Sequence, residues 1–425
     1  MIATSESGPS AAETKPLFRL PDGRNMVMTF ILATTLFFLW GFCNGMIDVL
    51  NKHFQNTLQI TKAQSGFVQF SNYLAYFLMA VPAGLLARRF GYKGGILIGL
   101  SLIAGGAFWF IPATRIGTYW AFLTGLFIIA SGMTCLETIA NPYTTLLGPS
   151  ASGATRINIA QTINGIGWVL GPLIGGSLIF GGGETAAKGN GNLYLPYLGI
   201  GVAVTFLLVV FGFSTVPDLQ AEDEVKAEEQ GRGHKPLWRR GHFVGGVLAQ
   251  FFYVAAQAGV FSFFINYVTE TNPGVSEKQA SAWLGLFGFG LFMLGRLCGS
   301  AVVSLMKPQR ALTLYAIINV GLTALAMTSR GKPGLVGLLG TFFFMSIMFP
   351  TIFALGIRGL GSHTKLASSV IVMSIVGGAI APPMMGHIAD ISSMRIGFGI
   401  PLVCFALVAA YGAVWQALEA RDRGA

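Results

Sequence analysis

Long apolar stretches constrain the fold of this chain more than any other feature of its sequence. Segments of about 20 residues with few charges alternate with short breaks rich in Gly, Pro, Asn or charged residues. A helix needs about 20 apolar residues to cross the hydrocarbon layer of a membrane. We therefore predict twelve transmembrane helices, at 26–50, 65–87, 94–113, 118–146, 155–180, 193–215, 241–268, 279–305, 310–328, 334–357, 366–389 and 396–418.

The composition excludes the main soluble classes. Of the 425 residues, 53% are hydrophobic and only 10% are charged, whereas soluble proteins are about 25% charged. Disordered chains and disulfide-rich secreted modules have different compositions. The net charge of +10 is spread over short segments between the apolar blocks, so it does not form a basic domain for nucleic acid. The predicted fold class is all-α and integral to the lipid bilayer, with no nucleic-acid partner.

The distribution of Lys and Arg predicts the orientation of the chain. If the amino terminus is cytoplasmic and all twelve segments span the membrane, 19 Lys and Arg residues fall on the cytoplasmic side and 8 on the other. Positive residues accumulate on the cytoplasmic side of membrane proteins. We therefore expect a multi-pass protein with both termini in the cytoplasm.

The longest hydrophilic segment divides the chain into two halves of six predicted helices each. Its acidic first part and basic second part are typical of a solvated linker. Similar loops follow the fourth and tenth helices, at 147–156 and 360–365, which indicates an internal duplication. The expected organisation is a cytoplasmic tail 1–25, a six-helix bundle 26–215, a cytoplasmic linker 216–240, a second six-helix bundle 241–418 and a cytoplasmic tail 419–425.

The loop after the second predicted helix resembles the signature of the major facilitator superfamily, Gly-x-Leu-Ala-Asp-Arg-x-Gly-Arg-Lys. The matching positions are Gly84, Leu86, Ala87, Arg89, Gly91 and Lys93. Arg88 and Tyr92 stand where the signature has Asp and Arg, so a charge network built on that Asp is not expected here. The resemblance implies the major facilitator fold, with twelve transmembrane helices arranged as two six-helix bundles.

Two carboxylates lie inside the apolar blocks. Asp48 is in the first predicted helix, toward its outer end, and Glu137 is well within the fourth. A carboxylate at the bilayer centre costs about 2.5–3.5 kcal/mol on insertion scales. Because burial favours the neutral form, such a group can be protonated in one access state and ionised in another. We interpret the two acids as a proton-coupling pair; the alternative is a structural carboxylate held by neighbouring amides or hydroxyls.

Amide and aromatic side chains accompany these acids. Asn44 is four residues before Asp48 and thus on the same helix face. Amides and carboxylates supply donors and acceptors and flat rings cover C–H faces, a mixture that suits a neutral polyhydroxylated ligand. Hydrogen bonding between helices is the alternative for any single amide. The candidate binding residues are Trp40, Asn44, Asp48, Asn158, Gln161, Asn164 and Gln257.

Several motifs of other functions are missing from the sequence. There is no Gly-x-x-x-x-Gly-Lys-Ser/Thr motif for an ATP-driven pump. The five histidines do not have the spacing of a metal cluster. No Ser/His/Asp or Cys/His set can be assigned either, so we expect neither an enzyme nor a bound cofactor or metal.

Five segments resemble the bacterial fucose–galactose–glucose:proton symporter family, and its L-fucose permease branch most of all. They lie at 36–48, 135–142, 158–162, 253–257 and 349–356, and the resemblance extends over about residues 30–415. It implies that Asp48 and Glu137 serve sugar binding and proton coupling, and that Gln161 faces the central cavity. Asn44 is followed by Gly45, where the L-fucose permease branch has two adjacent asparagines. The sugar therefore stays open among L-fucose, galactose, glucose and N-acetylglucosamine.

The expected function is import of a neutral monosaccharide together with a proton, by alternating access, in a bacterial inner membrane. Glu137 is the leading proton carrier, and the protein is expected to be a monomer. Two alternatives use the same architecture. A sugar facilitator would work without protons, and a proton-driven exporter of amphipathic compounds would use the same acids in a wider apolar cavity.

Overall fold

The computed structural model describes residues 17–20, 22–149, 152–180, 194–217, 236–360 and 364–424, and most of these residues are helical. Eleven helical runs in this part of the chain are long and apolar enough to cross a membrane. One of them, Lys62–Ile116, is interrupted at Gly91, whose φ is 71°. A Cβ added at Gly95 would lie 3.6 Å from the Cα of Ala87, so the two arms run side by side. Because this run contains two spans, the eleven runs comprise the twelve predicted spans.

The turn at Gly91 falls inside the loop that carries the superfamily signature. Positive φ is a conformation that glycine adopts without steric cost. A chain reversal within so short a loop therefore depends on this glycine. Numbered in chain order, the spans are α1 Val27–Leu58, α2 62–90, α3 92–116, α4 Tyr119–Leu146, α5 Thr155–Phe180, α6 Tyr194–Phe213, α7 Gly241–Ser262, α8 Glu277–Gly299, α9 Pro308–Thr328, α10 Lys332–Ile357, α11 Leu366–Ile391 and α12 Met394–Asp422.

The spans of the second half contain several local breaks. A π-helical turn, Leu284–Phe289, lies within α8, and a 3₁₀ turn, Ser374–Val376, lies within α11. α7 ends at Ser262, and a separate short helix, Phe264–Thr271, follows it, whereas the sequence predicted one helix over 241–268. Local 3₁₀ and π segments of this kind are tolerated in membranes where neighbouring helices satisfy the backbone.

Two apolar cores divide the molecule into halves. The first contains buried residues from Met26 to Val216. The second runs from Ala249 to Trp415. It also contains the buried Val49 and Ile179 of the first half, and partly buried residues of that half pack against it: Tyr73, Trp168, Val169 and Phe180. This confirms the predicted two six-helix bundles. The exact domain boundaries stay a prediction, and residues 218–235 of the expected linker lie outside the described residues.

One face of the molecule, which we call the sealed face, joins the two halves through charged side chains. It carries the connections α1–α2, α7–α8 and α11–α12. The Nζ atom of Lys62 lies 3.0 Å from Oε2 of Glu270, and Nζ of Lys52 lies 3.4 Å from Oε1 of Glu277. Between described residues, no hydrogen bond or ion pair joins the halves at the opposite face, which we call the open face.

Asp390, at the end of α11, makes the most directed contact across the sealed face. Its Oδ1 accepts a hydrogen bond from the backbone N–H of Lys62 at 3.0 Å, and its Oδ2 accepts one from Ala63 at 2.9 Å. These two N–H groups begin the short helix Lys62–Ser65 and have no partner within it. A carboxylate at a helix amino terminus is stabilising. Asp390 therefore binds the end of α11, in the second half, to the start of α2, in the first. We call these two hydrogen bonds the latch.

Replacing Asp390 with Ala is expected to open the sealed face more often, because two hydrogen bonds to a charged group, each about 1.5–3 kcal/mol, are lost. The reporter is a cysteine at Val49, which is fully buried against the core of the second half. Both proteins compared lack the four native cysteines. The rate at which a maleimide labels the cysteine at position 49 should be at least 10-fold higher with Asp390→Ala than with Asp390.

Ser392→Ala is the matched control, since its hydroxyl bonds only to Ile388 of the same helix. An Asp390→Ala variant that labels no faster than this control would contradict the latch.

Candidate functional site

Glu137 lies in a small cavity between α1 and α4. The cavity is lined by Leu36, Phe37, Trp40, Leu136, Glu137 and Ala140. The Glu137 side chain is half-buried, and no hydrogen bond or ion pair holds its carboxylate among the described residues. A structural carboxylate would be expected to have such partners. Its surroundings are therefore those of a group kept available for a proton or a ligand.

A tryptophan–tyrosine pair adjoins this cavity. The Nε1–H of Trp40 donates to the hydroxyl of Tyr76 at 2.5 Å, and Asn44 Nδ2 donates to the Trp40 carbonyl at 2.9 Å. Tyr76 lies within electrostatic range of Glu137. Trp40 and Asn44 are among the binding residues predicted from the sequence, and Tyr76 is not. The signal that could have found it is a hydroxyl-bearing ring inside an apolar helix, two turns after Gln69 on the same face of α2.

Asp48 occupies a different environment, at the contact between the halves. It is only 2% exposed, and its Oδ1 accepts a hydrogen bond from Gln69 of α2 at 2.8 Å. One turn further on, Asn51 Nδ2 donates to the carbonyl of Ser262 in α7 at 2.8 Å. The ring of Tyr73 lies within electrostatic range of both Asp48 and Glu137. The two acids are thus separate groups, and Tyr73 lies near both.

The three candidate amides of α5 lie in three different environments. Asn158 is exposed. Gln161 is half-buried, and its Nε2 donates to Oδ1 of Asn141, on α4, at 3.3 Å. Asn164 is 2% exposed and donates to the carbonyl of Phe37, on α1, at 2.8 Å. Asn164 therefore holds α1 against α5, whereas Gln161 keeps an accessible amide near the acid-bearing helix.

The second half contributes polar groups that face the same central region. Gln257 is half-buried, one turn after Tyr253, whose hydroxyl donates to the Met345 carbonyl at 3.0 Å. Arg296 lies inside α8, with its guanidinium 5.2 Å from the centre of the Phe292 ring and within electrostatic range of Tyr253. The sequence analysis searched the apolar blocks for acids and overlooked this cation. An Arg inside the apolar block 279–305, nine residues from its nearer end, is the signal that could have found it.

The cavity at Glu137 measures about 10 Å³, which is room for about one water molecule. The set of polar and aromatic side chains around it suits an uncharged polar molecule. It offers one unpaired carboxylate, amide donors and acceptors, and aromatic rings. Within the described residues, no group of three or more His, Cys, Asp or Glu side chains could hold a metal ion. The side chains described above supply proton exchange at a carboxyl and hydrogen bonding to hydroxyls.

Comparison with known proteins identifies the family. The sequence profile of the Major Facilitator Superfamily matches residues 29–375. The glucose/galactose transporter of Brucella abortus biovar 1 (strain 9-941) is 37% identical over 395 residues, covering 92% of this chain and 95% of the relative. The L-fucose-proton symporter of Escherichia coli (strain K12) is 38% identical over 408 residues, covering 91% and 93%.

A solved structure agrees with the sequence relatives. The crystal structure of FucP in the outward conformation has a TM-score of 0.66 and 36% identity, and covers 92% of this chain and 99% of that one. Movement of two rigid halves relative to each other lowers such a score without changing the fold of either half. The family predicted from the sequence is confirmed: this chain belongs to the Major Facilitator Superfamily, in the branch that contains these sugar transporters.

Proposed function

We propose that this protein is a symporter that imports a neutral monosaccharide together with a proton. The observation that carries the proposal is the unpaired carboxylate of Glu137 in a cavity beside Trp40. Relatives of 37–38% identity are named as a glucose/galactose transporter and an L-fucose-proton symporter, which supports the sugar class and the coupled ion. The sugar is a hexose, a 6-deoxyhexose or an amino sugar.

The proposed orientation places both termini in the cytoplasm of a bacterial cell, with the protein in the inner membrane. The excess of Lys and Arg in the connections of the open face supports this. The sealed face is then the outer one, and the structure corresponds to the inward-facing state. Sugar and proton enter when the latch at Asp390 releases and leave through the open face.

The proposed coupling assigns a separate task to each acid. Glu137 binds the proton in the cavity, where the neutral carboxyl removes the charge cost of reorienting the loaded protein. Asp48 is buried where the halves meet, and an ionised carboxylate there opposes closure unless it is hydrogen-bonded. Trp40, Asn44, Gln161 and Gln257 are the proposed sugar-contacting groups of the inward-facing cavity, and Asn158 lies toward its exposed end.

Glu137→Gln is expected to abolish accumulation of sugar against a gradient while exchange of internal for external sugar continues. Gln keeps the shape and the hydrogen-bonding capacity of a protonated Glu but cannot release a proton. The measurement is uptake and counterflow of L-fucose, galactose, glucose and N-acetylglucosamine in proteoliposomes, with proton movement followed by pH electrode.

Asp22→Asn is the matched acid-to-amide control, because Asp22 is exposed and paired with Arg24 outside the spans. If Glu137→Gln accumulates sugar as well as this control does, the coupling role is wrong and a proton-independent facilitator takes its place.

Gln161 and Asn164, two amides of α5, are expected to respond differently to substitution. Gln161→Ala should raise the KM for the sugar about 5-fold, since one hydrogen bond contributes about 1 kcal/mol, with little change in thermal stability. Asn164→Ala should instead lower the stability by about 1 kcal/mol, because the bond to the Phe37 carbonyl is lost. Uptake kinetics and thermal unfolding of the same purified variants distinguish the two roles. The reverse pattern would place Asn164, rather than Gln161, against the sugar.

A further inference from the structure

A second cavity lies in the second half, at the open face. It encloses about 260 Å³ between the start of α9, the residue that follows α10 and the last turns of α12. Neither the proton nor the sugar of the proposed transport cycle uses it. Its walls include Lys307, Gln309, Arg358, Trp415, Gln416 and Glu419.

The cavity carries more positive than negative charge. Lys307 is exposed and has no ion-pair partner among the described residues. Arg358 stacks over the ring of Trp415 at 5.4 Å, and its Nε lies 3.6 Å from Oε1 of Glu419. One carboxylate thus faces two cations, and the guanidinium makes no hydrogen bond to any described residue. A planar guanidinium suits bidentate contact with a phosphate.

The amino terminus of α9 opens into the same cavity. Lys307 precedes the helix, and Pro308 and Gln309 are its first two residues. Pro308 has no N–H, and the N–H groups of Arg310 and Ala311 donate to the carbonyl of Lys307. The positive end of the helix dipole, rather than a set of free N–H groups, is therefore what favours a bound anion here. The helix has 21 residues, so its dipole is fully developed.

A buried acceptor in the wall supplies an independent indication of a ligand. Gln309 is 7% exposed, and its Oε1 has no hydrogen-bond partner in the described part of the chain. A buried acceptor without a partner costs about 1–3 kcal/mol. An inorganic anion offers no hydrogen to this oxygen, whereas a ligand with a hydroxyl group does.

We propose that this cavity binds a phosphate ester that carries free hydroxyl groups. The phosphate lies against Lys307, Arg358 and the start of α9, and a hydroxyl donates to Gln309. Two sources share this chemistry: the headgroup of an anionic phospholipid such as phosphatidylglycerol, and a soluble polyol phosphate. Basic pockets between membrane helices bind anionic headgroups in other proteins.

The flanks of the cavity are compatible with a lipid. Below it, α9 and α12 expose Leu314, Ile317 and Val414, which are 46%, 56% and 49% exposed. In the membrane these side chains contact acyl chains. A soluble phosphate would reach the cavity from the aqueous side, through its open mouth.

The test measures binding to the full-length protein purified in dodecyl maltoside. Affinities are determined for phosphatidylglycerol, phosphatidylcholine and phosphatidic acid by native mass spectrometry, and for glycerol 3-phosphate by calorimetry. We expect phosphatidylglycerol to bind at least 10-fold more tightly than phosphatidylcholine, or glycerol 3-phosphate to bind with saturation. Tight binding of phosphatidylglycerol alone identifies the ligand as a lipid headgroup. Saturable binding of glycerol 3-phosphate alone identifies it as a soluble ester. Binding of both shows that the headgroup is recognised without its acyl chains.

Three variants locate the site. Lys307→Gln with Arg358→Gln should weaken binding about 30-fold, since each basic residue contributes a factor of about five. Arg310→Gln with Arg421→Gln is the matched control, because it removes two exposed charges from the same face without touching the cavity. Gln309→Leu should leave phosphatidic acid binding unchanged and remove the preference for phosphatidylglycerol over it.

The proposal is overturned if the unmodified protein binds none of these probes more tightly than phosphatidylcholine, or if the control double variant loses as much affinity as the cavity variant. The unmodified protein alone decides the first outcome, so the test does not depend on the folding of a variant. Binding is measured without transport, and a negative result therefore leaves the proposed symport untouched.

Discussion

A polar group on a membrane-spanning helix has to find its partner inside the protein, because the hydrocarbon layer supplies no water. This constraint accounts for where several polar side chains of the spans lie. Asn164 bonds to the backbone of α1, Asn51 to the backbone of α7 and Gln69 to the carboxylate of Asp48. Among the described residues, the carboxylate of Glu137 has no such bond, and neither do the buried amides of Gln250 and Asn319.

The polar contacts between the two halves lie where the proposed transport cycle requires movement. On the sealed face, carboxylates of the second half bind the segment that joins α1 to α2, and Asp48 is buried behind them. In the proposed cycle, opening that face exposes Asp48 to water and breaks the latch, while closing it requires Asp48 to be hydrogen-bonded or protonated. Glu137 is reached from a cavity within the first half. In the proposed cycle, protonation of Asp48 at the contact between the halves and protonation of Glu137 in the cavity each change the balance between the inward-facing and outward-facing states.

Much of the fold could be predicted from the sequence because the membrane simplifies the problem. Span length, the short turn at Gly91 and the equal halves follow from apolar runs, glycine and the hydrophilic linker. The helix boundaries were less accurate where tertiary contacts decide them. α1 continues through polar residues to Leu58 because Gln55 and Asn56 bond to Asn266 and Glu277 of the other half. No local pattern contains that information.

For the candidate site, the sequence by itself determined which residue types lie inside the membrane, and therefore that Glu137 and Asp48 needed an explanation. Only the tertiary structure decided that Asp48 lies at the contact between halves, that Asn164 is used in packing, and that Arg296 and Tyr76 adjoin the central region. The physical reason is that the insertion cost depends on the residue and its depth in a helix, whereas its hydrogen-bond partners come from helices far away in the chain.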